Sequence, residues 1–354
     1  MAQEFSGHIY IFHTLDVGDE IDLDYVKKKQ LVDTLPSRPL KYLKHYHTPL
    51  ITELPHPHAT SHCEEVKMYP FGAFTIRYKI PFSATLKELR RKINTIDNEY
   101  REQSFEEASI IFKNIKQAIL QPYFFHISKS YLVIQIDPLD NLSGHDMTEK
   151  FSGDIAGLLR FETENLSEYK KEEIFKNAFG YYRGDLIVVD SEASFVYDKE
   201  YEEVIELFEF GNVQQLQLQF FDTLLDKKLS ESYYRESHRM PMTSYLPMWS
   251  SVNLERISEL GKLKVEISVI TERLENSIRI GGEPYYAELY DTVRKKLDIN
   301  RWTDSIEKKL DIIQDVSEIR ENKIRVIRED MFNVLISALI FLEFIVAIMH
   351  YMRS

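Results

Sequence analysis

Apolar residues recur along this chain with two different periods, and the change from one to the other divides it. In the N-terminal two thirds, residues 9–15 (IYIFHTL), 73–80 (AFTIRYKI), 131–136 (YLVIQI) and 186–189 are short β-branched and aromatic runs that predict strands. Residues 190–193 predict a turn into a further strand through Phe195 and Tyr197. Helical spacing falls over residues 86–103, 106–120, 147–159 and 200–207. Pairs of helices separate some strands, so the order lacks the regular alternation of a doubly wound sheet and predicts an α+β domain. Residues 213–229 (VQQLQLQFFDTLLDKKL) carry apolar side chains on more than one face, which predicts a helix held between neighbours. Residues 33–60, with Pro36, Pro39, Pro49, Pro55 and Pro57, predict a long loop.

Beyond residue 245 the period becomes helical throughout. Leu254, Ile257, Leu260, Ile267, Ile270, Leu274 and Ile278 form one stripe, ended by Gly281, Gly282 and Pro284. A short helix follows through Tyr286, Leu289, Tyr290, Val293 and Leu297, and then a second long stripe over residues 302–330. The two long stripes predict an antiparallel helical hairpin. The last segment, 331–352 (MFNVLISALIFLEFIVAIMHYM), would make a helix about 33 Å long, enough to cross a hydrocarbon core. Its Leu, Ile, Val and Phe side chains supply roughly −5 kcal/mol of insertion free energy against about +3 for the central Glu343, so insertion wins by a small margin. The expected organisation is therefore an α+β soluble domain (1–245), a helical hairpin stalk (246–330) and one transmembrane anchor (331–354).

On a helical wheel Asn333, Ser337, Glu343, Ala347 and His350 fall within an arc of about 140 degrees, the side a lipid-facing helix turns toward protein. These five residues are the candidate surface for membrane-helix association, and a homo-oligomer is the expectation. Lys323, Arg325 and Arg328 precede the span and Arg353 follows it, a bias that keeps the N-terminal domain facing the cytoplasm.

Charge and cysteine content narrow the picture further. Fifty-seven acidic against 44 basic residues give a formal charge of −13, which argues against direct nucleic-acid binding through a broad basic surface. A single cysteine, Cys63, excludes a disulfide framework and points to a reducing compartment. Acidic residues from Glu4 to Asp24 leave no pattern of a transit peptide or secretory signal at the N-terminus.

The chemistry on offer is sparse. His45, His47, His56, His58, His62 and Cys63 gather imidazole and thiol groups within one stretch, a weak candidate metal set because the segment is proline-rich and no H-E-x-x-H helix accompanies it. Nucleophile-elbow, phosphate-loop and dinucleotide-turn spacings do not occur. No catalytic residue, cofactor or resident metal is assigned, and the expectation is a protein that is not an enzyme.

The C-terminal third carries a resemblance. The segment PYYAELYDTVRKKLDINRWTDSIEKKLDIIQDVSEIRENK, followed by an apolar helix containing LIFLEFIV, is similar to the "required for meiotic nuclear division" family and its uncharacterised bacterial relatives. The matching positions are Lys309, Leu310, Asp311 and Ile313, with Glu343 as the acidic residue of the final span; residues 208–229 also resemble the bacterial relatives. The resemblance implies a membrane-anchored protein without a reaction, ending in a helical hairpin and one span. The expected function is a self-associating scaffold or tether whose partners are a lipid membrane, other copies of itself and a protein of unknown identity. Two alternatives are an oligomeric channel or gating assembly using Glu343 and a metal-dependent enzyme using the cluster from His45 to Cys63.

Overall fold

The computed structural model describes residues 3–36, 41, 43–44, 49–55, 57, 61–124, 127–236, 279–280 and 284–353, with helical residues between 261 and 272. It divides into two compact units. The first comprises Met1–Phe220 and Glu272–Thr303, and the second Phe221–Thr271 and Asp304–Ser354.

The first unit is built on a seven-stranded sheet. Its middle strand β1 (Phe5–Asp16) pairs antiparallel along most of its length with β6 (Ala73–Ala84) on one side and β8 (Ser128–Ile136) on the other. Beyond β6 lie β5 (Cys63–Tyr69) and β4 (Leu50–Thr52); beyond β8 lie β10 (Ala193–Tyr197) and β9 (Leu186–Val189). All neighbours are antiparallel except β8 and β10. Three shorter strands, β2 (Glu20–Ile21), β3 (Leu43–Lys44) and β7 (Ile119–Leu120), lie outside this sheet; β2 pairs with β7, and β3 with β11 (Arg279–Ile280).

Both faces of the sheet are covered, which is why the centre of β1, Ile9–Phe12, reads as an apolar run and not as an alternation. Phe5, Ile9, Ile11 and Leu15 point to a core shared with α2 (Leu86–Ile115), α3 (Gly144–Leu159) and α4 (Glu168–Phe175). The even-numbered positions face α5 (Glu202–Glu236): Tyr131 of β8 stacks on Phe208 with ring centres 5.8 Å apart, and Asn212 Nδ2 donates to Thr14 Oγ1 at 2.9 Å. Helix α6 (Pro284–Lys296) packs on the outer side of α5, where Tyr290 donates its hydroxyl to Gln214 at 2.7 Å. Between the sheet and α6, α5 has the two apolar faces its sequence predicts.

The strand runs at 9–15, 73–80, 131–136 and 186–189 all fall inside strands, and residues 190–193 join β9 to β10. The helices differ in their breaks. The stretches 86–103 and 106–120 form one helix that stops at Ile115, opened by a reciprocal cap between Thr85 and Glu88. Its buried Ser104 does not interrupt it, because the hydroxyl donates to the Arg101 carbonyl at 2.7 Å. The stretches 200–207 and 213–229 are likewise one helix, and Gly211 lies within it because a Cβ there would come 2.7 Å from Val293 of α6. The expected loop over 33–60 contains two short strands, β3 and β4.

Within the second unit, Lys309 of α7 (Ile299–Arg353) binds Asp222 at 2.6 Å and Asp226 at 2.7 Å, while Ser305 donates to Asp222 at 2.7 Å. Leu310 and Ile313 are buried beside them. Helix α1 (Leu23–Lys28) is a single capped turn in the first unit. Of the expected stripe 254–278, the described residues between 261 and 272 are helical, and the antiparallel hairpin falls largely outside the described residues. The chain is thus mixed α+β in its N-terminal region and mostly helical in its C-terminal part.

Candidate functional site

Glu329–Met352 is one helix long and apolar enough to span a membrane, and none of that segment is buried. Leu335, Leu339, Phe341, Leu342, Phe344 and Ile345 are all exposed, an apolar patch far beyond what a water-facing helix carries. Asn333, Ser337, Glu343, Ala347 and His350 lie on this helix without an interruption, and each is exposed.

The histidine set divides. His45, His47, His56 and His58 lie outside the described residues. His62 and Cys63 sit at the start of β5, where the His62 ring is 6.4 Å from that of Tyr100 and the Cys63 thiol donates to the Glu65 carbonyl at 3.7 Å. Burial, reinforced by Glu107, Glu65 and Glu64, pushes the Cys63 thiol well above its ordinary range, so the protonated form is favoured and not the thiolate a metal requires.

A denser cluster sits between the sheet and α5. The two-residue period of β5 turns Glu65 and Lys67 to that side, the neighbouring strand adds Arg77, and Glu206 and Glu209 come from successive turns of α5. Lys67 Nζ lies 3.3 Å from Glu65, 2.5 Å from Glu206 and 2.9 Å from Glu209. Arg77 Nη1 is 2.9 Å from Glu65, and its Nη2 is 2.5 Å from Glu206 and also contacts Glu209. Lys67 is 2% exposed and Glu209 1%.

Three carboxylates against two cations leave one negative charge in a place with little water. Burial raises the Glu206 carboxyl, but Arg77 and Lys67 outweigh it and hold the group down at about 2. For Glu209 burial prevails over the same two cations, helped by Glu206 and Glu65, so this group is pushed upward. Oxygens of Glu65, Glu206 and Glu209 lie within 4.8 Å of one another, the spacing of a metal site. The ammonium and guanidinium nitrogens already occupy that space, so the residues present do not fit an added cation. The arrangement holds α5 on the β5–β6 side of the sheet.

At the other side of the sheet, the C-terminal ends of the parallel pair β8 and β10 open into a cleft of about 730 Å³. Four tyrosines line it edge to face: Tyr181 lies 4.7 Å from Tyr182 and 5.1 Å from Tyr285, which lies 5.2 Å from Tyr286. Tyr181 and Tyr182 are 52% and 69% exposed. Asp198 is buried at the cleft, and that burial raises its carboxyl, with Asp185 and Glu200 adding to the effect. Sequence reading missed both features, since each draws on segments more than a hundred residues apart. The local signal was Glu206-x-x-Glu209 inside an otherwise apolar helix segment.

These features define an α+β domain with a buried ionic clamp and an aromatic cleft, carried by a chain that has one apolar C-terminal helix. Residues 6–203 match the family described as "Uncharacterized protein MJ0711, N-terminal domain", more than half of the chain, and the chain belongs to that family. A relative, the uncharacterized protein MJ0711 of Methanocaldococcus jannaschii, is 24% identical over 253 residues, which cover 71% of this chain and 73% of the relative. No solved structure matches the chain. The matched residues span all seven strands of the large sheet and end just before Glu206 and Glu209. A link to the "required for meiotic nuclear division" family is not among these matches.

Proposed function

We propose that this protein is a single-pass, membrane-anchored scaffold or tether that self-associates through its apolar helix and holds its α+β domain on the cytoplasmic side. The observation that carries this reading is that no residue of Glu329–Met352 is buried. A helix of that composition has no stable place in water, whereas a bilayer satisfies both its side chains and its backbone. Lys323, Arg325 and Arg328 before the segment, against Arg353 after it, support the cytoplasmic orientation. Asn333, Ser337, Glu343, Ala347 and His350 share one side of the helix, and an ionisable group at bilayer depth is best accommodated against another helix. The resemblance of Lys309, Leu310, Asp311, Ile313 and Glu343 to the "required for meiotic nuclear division" family, which rests on the sequence alone, supports the same reading of a membrane-held protein without a reaction. The tyrosine cleft, with two exposed rings, is the surface this tether offers to a partner.

Membranes from cells expressing the full chain, washed with alkaline carbonate and then extracted in detergent, test both halves of the proposal. The protein is expected to resist the wash and to give a particle whose protein mass is a multiple of 41.9 kDa, with Glu343→Gln lowering that multiple. A carbonate-soluble monomer would sink it.

A further inference from the structure

A second cavity, of about 550 Å³, opens at the end of β8 opposite the tyrosine cleft. Its floor is His13 of β1, 2% exposed, whose ring meets Phe105 of α2 edge on at 4.9 Å. Neither ring nitrogen of His13 has a hydrogen-bond partner in the protein. Buried polar groups are paired with few exceptions, so an imidazole with both nitrogens free beside a cavity marks a place where something else completes the bonding.

The charges around it point to what that is. The cavity is lined by Asp97 and Arg101 of α2, Lys129 of β8, Arg160 at the end of α3 and Glu192 in the β9–β10 turn. Three cations and two acids line it, in a chain whose total charge is −13, and a third acid, Asp190, balances Arg160. Arg101 pairs with Asp97 at 2.9 Å, and Arg160 holds Asp190 at 2.6 Å from behind the wall. Lys129 is left with Glu192 alone, an exposed acid at the rim. Burial lowers Lys129, with Glu192 only partly opposing, and burial followed by Arg101 lowers His13 to about 4. Lys129 has only the exposed Glu192 to oppose its burial, and burial and Arg101 both disfavour charged His13, so an anion reaching both groups would favour both charged forms.

We propose that this cavity binds a phosphate-class oxyanion, free or as the monoester of a small molecule, with Lys129 and Arg101 supplying charge and His13 donating a hydrogen bond from the floor. The oxyanion favours protonated His13, so binding near pH 6 takes up a proton; no bond to phosphorus forms or breaks. The three serines at the wall, Ser128, Ser130 and Ser191, add hydroxyl donors suited to the same group.

The test uses the full-length chain in detergent, titrated with inorganic phosphate and separately with adenosine monophosphate by calorimetry at pH 6 in two buffers of different ionisation heat. The His13 ring resonance is followed by NMR in the same titrations. Binding accompanied by proton uptake and an upward move of the His13 titration is expected, with the tighter of the two probes identifying free phosphate or monoester as the better source. Lys129→Gln and Arg101→Gln should each weaken binding about tenfold while leaving the melting temperature unchanged. His13→Gln should bind without proton uptake; if that variant does not fold, the Lys129 and Arg101 variants decide the matter. Absence of heat and of a His13 response at millimolar concentrations of both probes would overturn the proposal. So would binding that neither Lys129→Gln nor Arg101→Gln weakens.

Discussion

Between the sheet and α5, five charged side chains are packed out of water, whereas along Glu329–Met352 the large apolar side chains stand in the open. The two regions invert the usual partition in opposite directions, and each inversion has its own remedy. Glu65, Lys67, Arg77, Glu206 and Glu209 supply one another with counter-charges, so their solvent is the cluster itself. Among the described residues nothing covers the C-terminal helix, which is long and apolar enough to span a membrane. Burial alone therefore does not separate structure from interaction here; what matters is whether the exposed or hidden groups already have partners within the chain.

The largest expected effect breaks the second half of that comparison. Leu339→Arg combined with Ile345→Arg changes the insertion balance by roughly +6 kcal/mol, more than the margin of about −2 that favours the span. The full chain should then leave the carbonate-resistant membrane fraction, and unchanged pelleting would show that the helix is held by something other than lipid.

The first half is tested by Arg77→Met, which leaves buried carboxylates short of a cation and should cost about 3–5 kcal/mol in urea unfolding. Adding Glu209→Gln should recover part of the loss, because it removes one of the buried carboxylates that Arg77 pairs with. A double variant no more stable than the single one would mean that the cluster does not act as one unit.

Acid separates the clamp from the His13 cavity. His13 is held neutral, down to about 4 from 6.5, so the folded state binds fewer protons than the unfolded chain below 6.5. Stability contributed by this group is complete above that value and falls as pH drops from 6.5 toward 4, by about 3 kcal/mol at most. Glu206, held at about 2 against 4.5, adds a later loss as pH falls from 4.5 toward 2. Urea midpoints measured between pH 7 and pH 4 should show the first loss, and His13→Gln should flatten it.

A smaller effect is expected at Gly157 of α3, where an added Cβ would lie 2.1 Å from Arg90 Nε. Arg90 donates through that nitrogen to the Glu162 carbonyl at 2.5 Å, so Gly157→Ala should cost about 1–3 kcal/mol by thermal melting. A neutral outcome would show that the Arg90 side chain can shift without losing its partners.

The strands with the longest β-branched and aromatic runs were legible in the sequence because burial on both faces makes Ile9–Phe12 of β1 and Tyr131–Ile134 of β8 uninterrupted apolar runs. Strand β5 was not, since Glu64, Glu65 and Lys67 make it read as a charged segment, and only Arg77, Glu206 and Glu209 from distant parts of the chain make its burial tolerable. The two merged helices were misread at Ser104–Phe105 and Gly211, where a local rule for interruption is overridden by a backbone acceptor and by the close approach of α6. His13 was visible as one residue of a strand run, but its missing partners are a property of three dimensions alone. The attention that five closely spaced histidines drew in the sequence went to residues of which only His62 is described.

The position of β1 in the sheet sets a timetable for synthesis. This strand needs Ala73–Ala84 on one edge and Ser128–Ile136 on the other, so it leaves the ribosome well before either companion exists. Until the second has emerged, a greasy ribbon with two open edges must be kept from pairing with its equivalents on neighbouring nascent chains, and slow translation or crowded polysomes would punish this protein more than one whose sheet starts at a border.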